Sequence, residues 1–492
     1  MFIQFHLILL LLCFSVIHAG SIAKGGKSSS TVSLTKKSKG LRESNNAAAL
    51  ITDLIAAAAS IPPTKSSDDA ANKLSAYRTI LGGLLTHLTL GSLYCWGNFQ
   101  SYAPKTLKFF DGKDHPGAQP DSMLVLPLTL VAQCCTLPIG SMITAKIGSR
   151  TTMLLGSTLL ALGVFLSSYA RTLAEFLATY SVMVGAGIGI AYTAPMIAGW
   201  KWLPQSKGFV SGAVLTGFGA GGFFFNLIGS KIVNPMGLDA INGKFPESVY
   251  RNFPVMLRKL SVIYIILAYA GSFLVVEPKI AAPLKGAKPV SVLGVSLQDS
   301  LKTKQFWLIW FMIISSASAG LNVASIYKSF AVTGPALTGD GFQSLVGGMG
   351  ALFNGFGRLF WGSFSDKFGF KQSFMLLTSA QALLHFVYPL SLSSKPAFLV
   401  ATCLCFFCLA GNFALIPPAT QRIFGPKNGA LIYGMVYSAF GVASVGGMIL
   451  SKILVSQFGW DGVFKILGST SLFATILTTF LHPLESLPSS TV

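Results

Sequence analysis

Twelve runs of predominantly apolar residues constrain this chain more than any other feature. They lie near 77–101, 122–144, 151–170, 174–199, 208–230, 259–276, 305–327, 342–364, 372–390, 397–419, 429–451 and 461–481. At 1.5 Å of rise per residue, about 20 residues cross the hydrocarbon core of a bilayer as one helix. Only a helix satisfies its own backbone hydrogen bonds there without a partner strand, so the runs predict an all-α membrane protein of twelve transmembrane helices. Charged residues make up 11% of the chain against 52% hydrophobic ones, whereas soluble proteins carry about 25% charged residues. The net charge of +20 comes from lysines and arginines placed singly between the runs. That is loop charge, and no nucleic-acid partner is expected. Cys134, Cys135, Cys403, Cys405 and Cys408 fall inside apolar runs, where neither a structural disulfide nor a zinc site is expected.

A polar connection, 277–304, with Pro278, Pro283, Pro289 and five lysines, divides the runs six and six. The domain reading is an N-terminal six-helix bundle over 77–276, a cytosolic-side linker over 277–304, a C-terminal bundle over 305–482 and a tail over 483–492. Residues 1–19 contain an apolar stretch, Leu7 to Val16, too short to span a bilayer; it suits a signal-peptide core but lacks the basic start. Residues 20–76 read as a disordered basic, alanine-rich tail or a transit segment. The loops on the two sides of the membrane carry equal numbers of lysines and arginines, so the nine basic residues from Lys24 to Arg78 break the tie toward an interior N-terminus. A leader cleaved on the lumenal side argues the opposite. A two-step plastid import route or an uncleaved leader reconciles them, so plasma membrane, endomembrane and plastid envelope all stay open.

The halves echo each other. Lys201-Trp202-Leu203-Pro204-Gln205-Ser206-Lys207-Gly208 precedes the fifth run and Arg422-Ile423-Phe424-Gly425-Pro426-Lys427-Asn428-Gly429 the eleventh. Gly212 and Gly219 match Gly434 and Gly441 in spacing, and Phe218 matches Phe440. The loop Ser141 to Gly148 weakly echoes Gly362 to Gly369, with Ala145 standing where the second loop has Asp366. Parallel six-helix repeats around a midplane site are the architecture of a secondary transporter.

On these loops, and on Gly185 to Tyr192, Lys201 to Pro204 with Lys207-Gly208, Gly217-Phe218-Gly219 and Gly357-Arg358 to Gly369, residues 77–482 resemble the major facilitator superfamily, and within it the oxalate/formate antiporter-like branch. The resemblance implies two pseudo-symmetric six-helix bundles and alternating access. It also implies a small mono- or dicarboxylate substrate, moved by antiport or proton-coupled symport. No cofactor is expected. The expected partners are the organic anion and the bilayer, and a monomer is the expected state.

Arg358 lies eight residues before Asp366, about 12 Å up a helix. A cation at that depth costs at least about 2.5 kcal/mol unless paired or hydrated. Its planar fork matches a carboxylate, and the resemblance implies that use. Bracing the gate against an acid or a helix C-terminus is the alternative. The equivalent N-terminal position is Leu137, so a single anion site is expected. The family's dicarboxylate carrier uses a lysine where this chain has Phe440, which favours a monoanion. Tyr94, Trp96, Asn98, Tyr192, Tyr433 and Tyr437 line a cavity or, alternatively, pack helices or form an interfacial belt. Asp366, Lys367, Lys146 and Arg150 are the candidate gating residues. His385 reads as the sole histidine well inside a run, hence the intramembrane proton-relay candidate, against an interhelical hydrogen bond as the plainer role. No phosphate-binding loop, catalytic triad or metal constellation is visible, which argues against an ATP-driven pump or an enzyme. Carriage of another anion such as nitrate, or a sensor on a transporter scaffold (favoured only by Ala145), remain as other readings.

Overall fold

The computed structural model describes residues 68–103, 124–238, 245–278, 294–334, 337 and 340–482. The expected leader and most of the tail lie outside them. Among the described residues, twelve helical segments of ten residues or more follow in order: α1 (Asp68–Leu90), α2 (Val125–Ile147), α3 (Ser149–Ser167), α4 (Leu173–Trp202), α5 (Lys207–Val233), α6 (Glu247–Leu274), α7 (Lys304–Ala331), α8 (Asp340–Phe368), α9 (Phe370–Ser393), α10 (Lys395–Phe424), α11 (Gly429–Ser444) and α12 (Leu454–Thr479). Nine of these, all but α1, α8 and α11, are by length and composition able to cross a membrane.

Two boundaries differ from the sequence reading. Helix α1, described from Asp68 onward, reaches into the stretch read as tail. The eleventh and twelfth runs, expected to be separated by a loop near 452–460, are continuous helix from Ser438 to Thr479 except at Gly459, whose φ of 62° makes the turn.

Three glycines terminate helices in one shared backbone conformation. Gly148 after α2 has φ 82°, ψ 163°; Gly369 after α8 has φ 83°, ψ 160°; Gly425 after α10 has φ 88°, ψ 160°. This region is accessible essentially to glycine alone. Gly148 and Gly369 are the repeat-related pair, so the weak sequence echo of these loops is a strong backbone echo.

The repeat also governs how the halves meet. α5 packs on α8, and α11 on α2. A Cβ on Gly212 would come within 2.4 Å of the Arg358 carbonyl oxygen, and one on Gly434 within 2.8 Å of Pro138. Glycine is required at both because backbone meets backbone without side chains between. The same two positions in the repeat thus make the same two contacts, exchanged between halves.

Candidate substrate site and gate

Arg358 sits midway along α8 and is fully buried. Its Nε donates to Asn354 Oδ1 at 3.2 Å, one turn earlier, and Asn354 Nδ2 is held in turn by the Phe406 carbonyl of α10. Its guanidinium carbon lies 4.7 Å from the Phe413 ring centroid and 5.3 Å from that of Phe218. Both terminal nitrogens, Nη1 and Nη2, are buried with no hydrogen-bond partner. Among the described residues no acid pairs with Arg358, so the bracing alternative finds no carboxylate to lean on.

Aromatic rings close a circuit from this arginine back to itself. Phe218 of α5 meets Tyr192 of α4 edge-on at 5.3 Å, and Tyr192 lies 5.5 Å from Tyr437 of α11. Tyr437 is 4.9 Å from Phe440, which stacks at 4.5 Å on Phe413 of α10. Tyr433 packs beside Tyr192 and Tyr437. The hydroxyls of Tyr192 and Tyr433 have no hydrogen-bond partner, while that of Tyr437 accepts from Gln133 Nε2 of α2 at 3.0 Å. Local backbone explains why these rings converge. The α-helical part of α4 breaks directly after Tyr192, ahead of Pro195, which lacks the N–H to continue the ladder. α11 breaks likewise at Tyr437. Interrupted helices at the midplane are the usual substrate-lining device of secondary transporters.

Of the residues singled out from sequence, Arg358, Tyr192, Tyr433, Tyr437 and Phe440 come together. Trp96 does not: it packs with Phe176 and Tyr180. Tyr94 joins the group too, edge-on to Phe218 at 5.6 Å and with its hydroxyl close enough to Arg358 to interact with it. Asn98 instead donates to Ser230 Oγ. Phe218, Phe413 and Asn354 were missed as site residues. The repeat match of Phe218 with Phe440 was the available signal for the first, and both rings now flank the arginine's stack.

The reading of His385 as sole intramembrane histidine needs correcting. His87, midway through the first run, is fully buried in α1, with its ring 5.3 Å from Tyr192 and 6.2 Å from Phe218. Its Nδ1 faces the Gly83 carbonyl at 3.0 Å and its Nε2 has no partner. His385 instead has both ring nitrogens against backbone carbonyls, of Gln381 and Ala319, which occupies it structurally.

At the loop face, where Gly148, Gly369 and Gly425 lie, Asp366 joins three helices. Its carboxylate accepts from the backbone N–H of Gly208 at 2.8 Å and of Phe209 at 2.6 Å, at the start of α5, and from Arg422 Nη2 of α10 at 2.5 Å. An acid at a helix N-terminus satisfies otherwise orphaned donors and suits the dipole. In the first half the tie is internal. Glu277 accepts from the Ser149 N–H at 2.7 Å and pairs with Lys201, while Arg150 donates to the Val275 and Phe273 carbonyls. Burial pushes the Glu277 carboxyl up, but Lys201 and the Ser149 N–H outweigh it and hold it below the usual carboxylate value. Lys201 and Arg422, equivalent in the sequence repeat, thus each meet an acid; Arg422 was missed as a gate residue although its repeat position marked it. Lys146 and Lys367 are exposed; Lys367 lies over Phe368 and neither reaches the other half among the described residues.

Known proteins resemble this chain over most of its length. The family description Major Facilitator Superfamily matches residues 320–492. The chain is 26% identical to apicoplast pyruvate carrier 1 of Toxoplasma gondii, over 82% of this chain and 88% of that one. It is 27% identical to the oxalate:formate antiporter of Oxalobacter formigenes, over 82% and 90%. Among solved structures, the proton:xylose symporter XylE superposes with a TM-score of 0.63 at 12% identity, over 84% of this chain and 97% of that one.

Proposed function

We propose that this chain, which resembles the oxalate/formate antiporter-like branch of the major facilitator superfamily, carries a small organic monocarboxylate by alternating access, with Arg358 as the carboxylate contact. The observation that supports this most is the buried guanidinium with two unpartnered nitrogens. An isolated charge in a low-dielectric interior is costly, and a bound carboxylate meets both nitrogens in the fork geometry that guanidinium favours. The tyrosine hydroxyls left open beside it offer further hydrogen bonds to a small polar substrate. Phe440, stacked on Phe413 beneath the arginine, leaves the centre with one cation and favours a monoanion. Asp366 serves as the gate latch, since its bonds to α5 must break for the halves to part at the loop face. Glu277, Lys201 and Arg150 hold the first half as one body. The relative that carries pyruvate in an apicoplast supports a plastid envelope as the membrane.

The test is counterflow of labelled formate, pyruvate, lactate and oxalate in proteoliposomes. Wild type is expected to exchange a monocarboxylate, and Arg358→Gln to lose at least about 100-fold of that rate, the scale of a lost charge-assisted pair of about 3 kcal/mol. Full transport by folded Arg358→Gln removes the arginine from the site. Phe440→Lys is expected to shift the uptake ratio toward oxalate, and an unchanged ratio refutes the charge argument.

A further inference from the structure

We propose that His87 is a proton-binding site that fills when an anion occupies Arg358, making the carrier a proton symporter. The proposal rests on the carboxylate reading of Arg358. The Gly83 carbonyl at 3.0 Å accepts only a hydrogen, so Nδ1 carries the ring's proton and Nε2 presents a bare lone pair. That lone pair is fully buried and accepts no hydrogen bond, in a ring that lies 5.3 Å from Tyr192, whose backbone also approaches it, and 6.2 Å from Phe218, which in turn adjoins the arginine. A buried acceptor left open is costly, and native interiors rarely leave one without a use.

The charged and titratable groups around it come from three segments. Tyr94 is in the 3-10 turn Gly91–Cys95 that follows its own helix, Tyr192 on α4 and Arg358 on α8, while α5 presents Phe218. Tyr264 of α6 is turned onto Phe225, and Arg150 of α3 is taken by α6 carbonyls, so neither faces it. Among the described residues, Arg358 is therefore the cation whose charge opposes protonation of Nε2. With the arginine bare, a second positive charge nearby in the same low-dielectric centre is unfavourable. A carboxylate on Arg358 cancels that repulsion and adds an attraction, so the proton follows the anion in. By reciprocity the proton tightens anion binding by the same factor. The loaded carrier then moves one proton with one monoanion, and the bond made is Nε2–H, released again when the anion leaves.

The experiment uses the full-length protein in proteoliposomes with labelled pyruvate and a lumenal pH dye. An outside pH one unit lower is expected to drive up to about tenfold accumulation, one pH unit being worth 1.36 kcal/mol per proton, and the lumen is expected to acidify with uptake. His87→Gln and His87→Asn, each checked for folding, are expected to keep counterflow within about threefold while losing both the pH-driven accumulation and the lumenal acidification. A structural role for the ring would lower counterflow and gradient-driven uptake together. Gradient-driven accumulation surviving in either folded variant overturns the proposal. So does wild-type uptake without proton movement, which needs no variant at all. Arg358→Gln run alongside separates the two readings: normal transport there removes the anion site, whatever His87 does.

Discussion

Asp366→Asn offers the sharpest test of the gate, because the groups it perturbs are few and known. The carboxylate takes two backbone N–H bonds from α5 and one charged partner, Arg422, which is about one-third exposed. An asparagine keeps a single acceptor oxygen and turns an NH₂ toward donors, so one N–H bond to a charged group, worth about 1.5–3 kcal/mol, is lost. The Arg422 pairing, discounted for solvent, adds at most about 1 kcal/mol. A net loss of about 2 kcal/mol shifts the equilibrium toward the state open at the loop face by about 30-fold. Ser141 reports this from a distance: it is buried between α2 and α11, bonding Thr193 and the Ala430 carbonyl. A Ser141→Cys carrier should react with a water-soluble maleimide about 30-fold faster when Asp366→Asn is added. A rate within twofold of the parent, in protein that remains folded, would refute the latch and leave Asp366 as a local helix cap.

Two further outcomes follow from the same geometry. Gly369→Ala meets no atom within 4 Å, so its expected loss of about 1–3 kcal/mol is purely the cost of a φ of 83°. Gly97→Ala, equally uncrowded but in a helix, should be neutral or stabilising by about 1 kcal/mol; thermal shifts of equal sign would refute this. Glu277, held below its usual value, contributes stability that is present above the unfolded carboxylate pKa near 4.5 and lost as pH falls through its folded value. The melting-temperature gap between wild type and Glu277→Gln should therefore be constant near neutrality and close below pH 4.5, and a gap that widens in acid contradicts the assignment.

The spans and the repeat were legible because hydropathy and glycine spacing are one-dimensional signals. Gly212, Gly219, Gly434 and Gly441 announced close contacts, although not that each pair would reach across to the other half. Arg358 was legible as a buried charge, since any cation in a long apolar run is conspicuous. Its environment was not, because stacking on Phe218 and Phe413 depends on rotamers and on three helices far apart in sequence. Trp96 shows the opposite failure: amphipathic aromatics read alike whether they line a cavity or pack, and here Phe176 and Tyr180 take the ring. His87 was overlooked beside threonines and leucines, where nothing in the letters tells an engaged imidazole from an open one. Its Nε2 is distinguished only by what fails to approach it.

The paired loops at Gly148 and Gly369 preserve backbone torsions to within a few degrees while their chemistry has parted. One copy holds Asp366 and Arg358; the other holds Ala145 and Leu137 at the matching places. Kinship between the halves is thus written in angles more durably than in letters. The unused copy is in effect a blank casting of the used one, a mould in which Leu137→Arg and Ala145→Asp would set the second set of machinery that this carrier does without.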